Sequence, residues 1–219
     1  MKLTLAAALL VTTLPMLQGC VPALIAGGAA ATVLSVNDRR STGVQTDDET
    51  TEWKAAAKIP AQYKDGTHAN FTSYNRILLI TGEVFSEDAK QAIGSAASQV
   101  EGVRQVHNEL IVAPTTSLGA RSNDSFIDSK VKARLVDSNQ ISANHIKVVT
   151  ERGQTYLMGI VSERESKVAI AVARTTDGVR KVVNLLEVLP DDDIRRIDSH
   201  AIGTRKAPPP AASAPVEAR

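Results

Sequence analysis

The sequence repeats itself, and this narrows the fold before composition is considered. Leu79-Ile80-Thr81-Gly82-Glu83-Val84 returns as Tyr156-Leu157-Met158-Gly159-Ile160-Val161, a step of 77 from position 79 to position 156. Each copy runs on into a Ser/Glu-rich start and then an alanine-rich stretch. Further on, Glu101-Gly102-Val103-Arg104-Gln105-Val106-His107-Asn108 matches Asp177-Gly178-Val179-Arg180-Lys181-Val182-Val183-Asn184 at a step of 76, from 101 to 177, so the first copy holds one extra residue between its two motifs. Self-similarity at a fixed period marks duplicated structural units. The expected organisation is two copies of one small domain, residues 47–113 and 123–190. Residues 114–122, which contain Pro114 and Gly119, form the linker.

Each copy is predicted to run α-β-β-α-β. In the second, Ile127, Val131 and Leu135 recur at fourfold spacing, which makes one face of a helix over 125–136, with Asn123 and Asp124 as plausible caps. Two strands follow, 146–150 and 155–161, joined as a hairpin across Arg152-Gly153. Ser162-Glu163-Arg164-Glu165 is a capping-box pattern that opens a helix to about residue 176. Gly178 ends that helix, as Gly102 ends its counterpart, and residues 179–188 make a last strand. In the first copy the opening helix is placed at 50–58 and the strands at 69–74 and 77–84. A second helix at 86–100 and a last strand at 103–112 follow. Helices packed on one face of a three-stranded mixed sheet make each copy a two-layer α+β sandwich. Gly82 and Gly159, each directly after an apolar strand segment, are read as points of close backbone approach by the packed helix.

The first 20 residues carry an address. Lys2, an apolar run over 3–14, and Leu17-Gln18-Gly19-Cys20 make a positive region, a core too short to span a bilayer, and a cleavage site. Residues 1–19 are expected to be removed, leaving Cys20 as a lipidated first residue. Acyl chains on that residue add about 0.8 kcal/mol per buried methylene, enough for lasting attachment to a membrane. The next residue is Val21 and not Asp, which favours the inner leaflet of an outer membrane, with the protein facing the periplasm. Cys20 is the sole cysteine of the sequence, so the mature chain has no intramolecular disulfide and no thiolate metal site.

Residues 20–46 are expected to be a lipidated tether. Its uncharged part, 21–36, is either a small-residue spacer or a segment dipping into the membrane interface; at sixteen residues it is short for a spanning helix, which needs about 20. Residues 191–219, with Pro208-Pro209-Pro210 near their end, are expected to be a disordered tail, and Asp191-Asp192-Asp193 with Arg195-Arg196 a solvated segment. Loss of Lys2 leaves 24 basic against 24 acidic residues, so no overall field draws the mature chain to nucleic acid.

A strand ending in hydrophobic-x-Gly-x-Val, then a helix, then Gly-Val-x-x-Val-x-Asn, resembles the BON domain, and the resemblance covers both copies. Two such domains behind a lipidation motif resemble the dual-BON outer-membrane lipoproteins. That resemblance implies a non-enzymatic periplasmic protein that supports outer-membrane integrity, binds anionic phospholipid through its second domain, and gathers at division sites. Carried over residue by residue, the lipid-contacting helix falls on residues 125–137, with Phe126, Ala133 and Val136 along one stripe and Lys130, Lys132 and Arg134 around it. Apolar side chains enter the headgroup boundary, and each basic one adds about 1 kcal/mol of attraction to phosphatidylglycerol or cardiolipin. The alternative is that Phe126 and Val136 close the core or the interface between the domains. The first copy departs from the pattern, because its opening helix stops at Pro60.

His68 and His145 stand at equivalent repeat positions, so a shared local role explains both better than metal binding does. No zinc-protease helix, nucleophile elbow or phosphate loop is present, and neither catalytic residues nor a cofactor are assigned. A second reading, from another class, is an adaptor for envelope protein partners in assembly or peptidoglycan remodelling.

Overall fold

The computed structural model describes residues 38–203. The signal peptide, Cys20, most of the tether and the Pro-rich end of the tail lie outside the described residues. The first domain comprises α1 (Thr42–Ala57), β1 (His68–Tyr74), β2 (Ile77–Val84), α2 (Glu87–Ser98), β3 (Gln105–Asn108) and the short β4 (Ile111–Val112). The second comprises α3 (Leu118–Asp137), β5 (Ile146–Glu151), β6 (Gln154–Val161), α4 (Glu163–Arg174) and β7 (Lys181–Val188), and α5 (Asp191–Gly203) follows it. In each sheet the central strand pairs antiparallel with its hairpin partner and parallel with the strand that returns after a helix, giving the orders β1-β2-β3 and β5-β6-β7. The parallel pairing requires a crossover, which α2 and α4 supply.

Both hairpins turn through two residues with positive φ, Asn75 (51°) and Arg76 (67°) in the first domain, Arg152 (53°) and Gly153 (75°) in the second. Such turns match the right-handed twist of the strands they join. Each is held by a buried aspartate from the opening helix. Asp48 accepts from the amides of Asn75 (2.7 Å) and Arg76 (2.9 Å), and Asp124 from those of Arg152 (2.8 Å) and Gly153 (3.0 Å). Asp124 therefore lies inside α3 and caps no helix; the N-cap is Ser117, whose side chain accepts from the Ala120 amide. The capping box at Ser162 and Glu165 is present as expected.

Period-two alternation places two different cores on the two faces of each central strand. On β2, Leu78, Ile80 and Val84 join Ala55, Ile93 and Ala97 of the helices, while Ile77 and Leu79 point the other way. On β6, Leu157 and Val161 meet Ile127, Val131 and Leu135, while Tyr156, Met158 and Ile160 point away from them. The outward sets meet each other, with Tyr74 and Ile194, in a third core between the sheets. The domains thus stack sheet against sheet, and the helices lie on the outer sides. Full burial of each such side chain contributes roughly 1.5–3 kcal/mol, so the junction is comparable in kind to the domain cores.

The structure corrects four expectations. The opening helix of the first copy starts at Thr42, capped by Ser41, and so takes in residues assigned to the tether. The second opening helix starts at Leu118, within the expected linker, so only the stretch before Ser117 connects the copies. Residues 191–203 are helical and not disordered, because Ile194, 6% exposed, and Ile197 sit three apart and cover the core between the sheets. Three aspartates in the first turn suit its N-terminal dipole, and Asp192–Arg195 and Asp193–Arg196 pair along its exposed side. Lastly, the backbone that crowds Gly82 and Gly159 belongs to the neighbouring strand's start and not to a helix. A Cβ on Gly82 would stand 2.0 Å from the His68 carbonyl oxygen, and one on Gly159 2.3 Å from that of His145.

Candidate membrane-facing surface

The second opening helix, α3, buries Ile127, Val131 and Leu135 against β5 and β6. At 100° per residue those positions cluster on one side, which turns Ala133 outward and sets Phe126 and Val136 about 40° to either side of the outward direction. Phe126 is 61% exposed and Val136 58%. Neither closes a core or the junction between domains. Leu118, in the first turn, is 78% exposed and lengthens the apolar outer side.

The three basic residues expected to rim this stripe have different duties. Lys130 holds its ammonium 5.1 Å from the Phe126 ring centroid and 3.0 Å from the Asp177 carboxylate, which is almost wholly in solvent. Arg134 is committed to the second domain's other helix. It donates to the Val172 carbonyl (3.2 Å) and to the hydroxyls of Thr176 (2.9 Å) and Thr175 (3.0 Å), satisfying the C-terminal end of α4. Lys132 is exposed on the opposite flank, and the half-buried Asp128 is its neighbouring charge. The structure therefore brings Phe126, Lys130, Lys132, Ala133 and Val136 onto one outer surface and assigns Arg134 a structural task. Gly178 stands behind this surface, in a positive φ of 95°, where a Cβ would come within 2.8 Å of Ile127; contrary to expectation neither it nor Gly102 (90°) ends a helix, since α2 and α4 stop earlier, at Ser98 and Arg174, with Gln99 and Thr175 as C-caps.

At the C-terminal end of α3 the chain's entry into the fold is fixed. Arg39 reaches the second domain and donates to the Ile160 carbonyl (2.9 Å), to both Glu165 oxygens (2.7 and 3.0 Å) and to both Asp198 oxygens (2.9 and 3.0 Å). Burial works against the Glu165 anion, but His145 at 3.9 Å, Arg39 and the Ser162 amide outweigh it and hold the carboxyl far below the usual range. Arg39 and Val136 line the same surface hollow, next to the exposed stripe. No described helix is long and apolar enough to cross a membrane.

The family model for the BON domain matches the chain twice, over residues 47–114 and 123–190. The chain belongs to the BON-domain family. Its two BON domains are the two stacked sandwiches, and the match limits agree with the repeat. This BON protein is 38% identical over 175 residues to the outer membrane lipoprotein DolP of Haemophilus influenzae, covering 79% of this chain and 90% of that one. It is 32% identical over 151 residues to the 21 kDa hemolysin of Actinobacillus pleuropneumoniae (68% and 78% covered), and 30% identical over 139 residues to the osmotically-inducible protein Y of Escherichia coli (60% and 69% covered). It is a dual-BON, DolP-like outer-membrane lipoprotein. Of the two hairpin-locking aspartates, Asp124 reads as a cap in the sequence and Asp48 carries no such signal, although a step of 76 relates them. Arg39, Glu83 and Glu151 gave no signal, because Arg39 finds Glu165 and Asp198, Glu83 finds Thr116 and Arg152, and Glu151 finds Asn70, all far away in the sequence.

Proposed function

We propose that this BON protein is held on the periplasmic face of the outer membrane by acylated Cys20 and docks α3 of its second domain on anionic phospholipid, supporting outer-membrane integrity and enriching where such lipid is enriched, as at division sites. The observation that carries this reading is the outward Phe126, with Lys130 and Lys132 on either side of the stripe that also holds Ala133 and Val136. The repeat supplies an internal control. At steps of 76 the counterparts of Phe126 and Val136 are Thr50 and Pro60, so the matching helix of the first domain lacks both of these apolar side chains and exposes Trp53 instead. Arg39, near the start of the described residues, shares a hollow with Val136, which favours contact with the same leaflet that holds the anchor.

Full-length protein without its acyl groups should cosediment with phosphatidylglycerol or cardiolipin vesicles and not with phosphatidylcholine vesicles. Phe126→Glu removes an insertion worth roughly 1.5–3 kcal/mol and should weaken binding at least about tenfold, while Thr50→Glu leaves it unchanged. Equal binding by Phe126→Glu defeats the reading.

A second reading, an adaptor for envelope protein partners, draws support from Trp53. This side chain is 80% exposed on α1, and its counterpart in the second domain is Ser129. Exposed tryptophan is a frequent anchor of protein interfaces. Cross-linking in cells from position 53 should capture a protein that Phe126→Glu does not release.

A further inference from the structure

Three ionisable side chains, drawn from both domains, face one another at the edge of the junction. His68 opens β1, Glu83 lies near the end of β2 and Glu151 closes β5, and one ligand atom of each stands within 4.8 Å of the others. Glu83 is fully buried and Glu151 is 8% exposed. Nδ1 of His68 is 3.1 Å from Oε2 of Glu83. Around them, Thr116 donates its hydroxyl (2.7 Å) and amide (3.2 Å) to Glu83, and Asn70 donates to Glu151 at 3.0 Å. Arg152 stands 3.4 Å from Oε1 of Glu83, with 40% of its side chain exposed. Of the two buried carboxylates, only Glu83 has the half-exposed guanidinium beside it; Glu151 is held by the Asn70 amide, which adds no charge, and His68 supplies one only when protonated. Buried charge without a full counter-charge is costly, and a further cation here removes the deficit.

We propose that His68, Glu83 and Glu151 form a zinc site that ties the first BON domain to the second. The donor set is one imidazole and two carboxylates. Calcium and magnesium take oxygen donors almost exclusively, whereas imidazole beside carboxylate suits zinc. Ligand atoms held tetrahedrally at about 2.0–2.2 Å from zinc stand roughly 3.3–3.6 Å apart, and the His68–Glu83 separation of 3.1 Å needs to open by only a few tenths of an ångström. Glu151 completes the set by a side-chain rotation, and water occupies the fourth position from the side of His68, which is 18% exposed. Arg152 reaches Oε1 of Glu83 while His68 faces Oε2, so zinc on the His68 side leaves the guanidinium contact in place. Thr116, Asn70 and Arg152 then orient the ligands from behind, as the outer partners of metal ligands do.

The test uses the full mature chain, purified in detergent, stripped with chelator, and titrated with zinc chloride against a chromophoric chelator, with thermal unfolding followed in parallel. One zinc per chain should bind and raise the midpoint of unfolding, and calcium chloride should not. His68→Ala and Glu151→Gln should each weaken zinc at least about tenfold. The glutamine keeps the size of the side chain and its contact with Asn70, so the metal-free variant should unfold near the parent midpoint. Zinc bound equally by both variants, or lost instead on replacing His107 or His200, overturns the assignment. So does a midpoint that zinc leaves unmoved.

Discussion

Replacing Arg39 by methionine should destabilise the fold by about 3 kcal/mol. The guanidinium is 3% exposed and makes five hydrogen bonds, to one carbonyl and two carboxylates. Methionine fills much of the volume and leaves Glu165, itself 14% exposed, without its cation. Stranding one member of a buried ion pair costs about 3–5 kcal/mol. Asp198, at 40% exposed, recovers water when the arginine goes and adds little, which sets the expectation at the lower end. With a urea m-value of about 2 kcal/mol/M, the midpoint should fall by roughly 1.5 M. The triple variant Arg39→Met, Glu165→Gln, Asp198→Asn removes the stranded charges, and glutamine still completes the capping box. It should regain at least half of the loss. A midpoint shift for Arg39→Met below about 0.3 M, or a triple variant no more stable than the single one, refutes the reasoning, because either result means the pair is already screened by water.

The same pair sets an acid limit. The carboxyl of Glu165 is lowered in the fold, so its contribution is complete above the ordinary glutamate value of about 4.3 and declines as pH falls from there towards the folded value. Urea midpoints of the parent should therefore drop more steeply below about pH 4.3 than those of Glu165→Gln, and parallel curves would argue against the pairing. Asp124→Ala frees two turn amides and should cost about 1–3 kcal/mol, measured by urea unfolding. Asp48→Ala should cost more, since Asp48 also accepts from the Ser73 hydroxyl and pairs with Arg40. Gly159→Ala sets a methyl 2.3 Å from a carbonyl oxygen and should lower the thermal midpoint by more than about 5 °C, whereas Gly119→Ala, with nothing nearer than 4.0 Å, should leave it unchanged.

Much of the fold was legible because the repeat states it twice. Fourfold spacing of Ile127, Val131 and Leu135, the Ser162 capping box and the Arg152-Gly153 turn are local signals, and each element they mark is present. The misread parts depend on contacts across the chain. Ile194 and Ile197 look too sparse for a helix until the core between the sheets supplies their partner. Asp124 resembles a cap until the hairpin 28 residues on presents its amides. For the outer surface of α3, helical geometry was enough to turn Phe126 and Val136 outward. It could not show that Arg134 is occupied by the end of α4, since nothing in the neighbouring sequence names the threonines it holds.

The stacked sheets bear on what duplication has produced here. Tyr74, Ile77 and Leu79 are hidden by Tyr156, Met158 and Ile160 together with neighbours from the second domain and α5, so each half serves as the lid of its twin. A gene fragment encoding one half would display an apolar sheet face to solvent, and a protease cut in the connection would endanger both halves together. The two modules are inherited as copies, yet they are obliged to fold, persist and fail as one body.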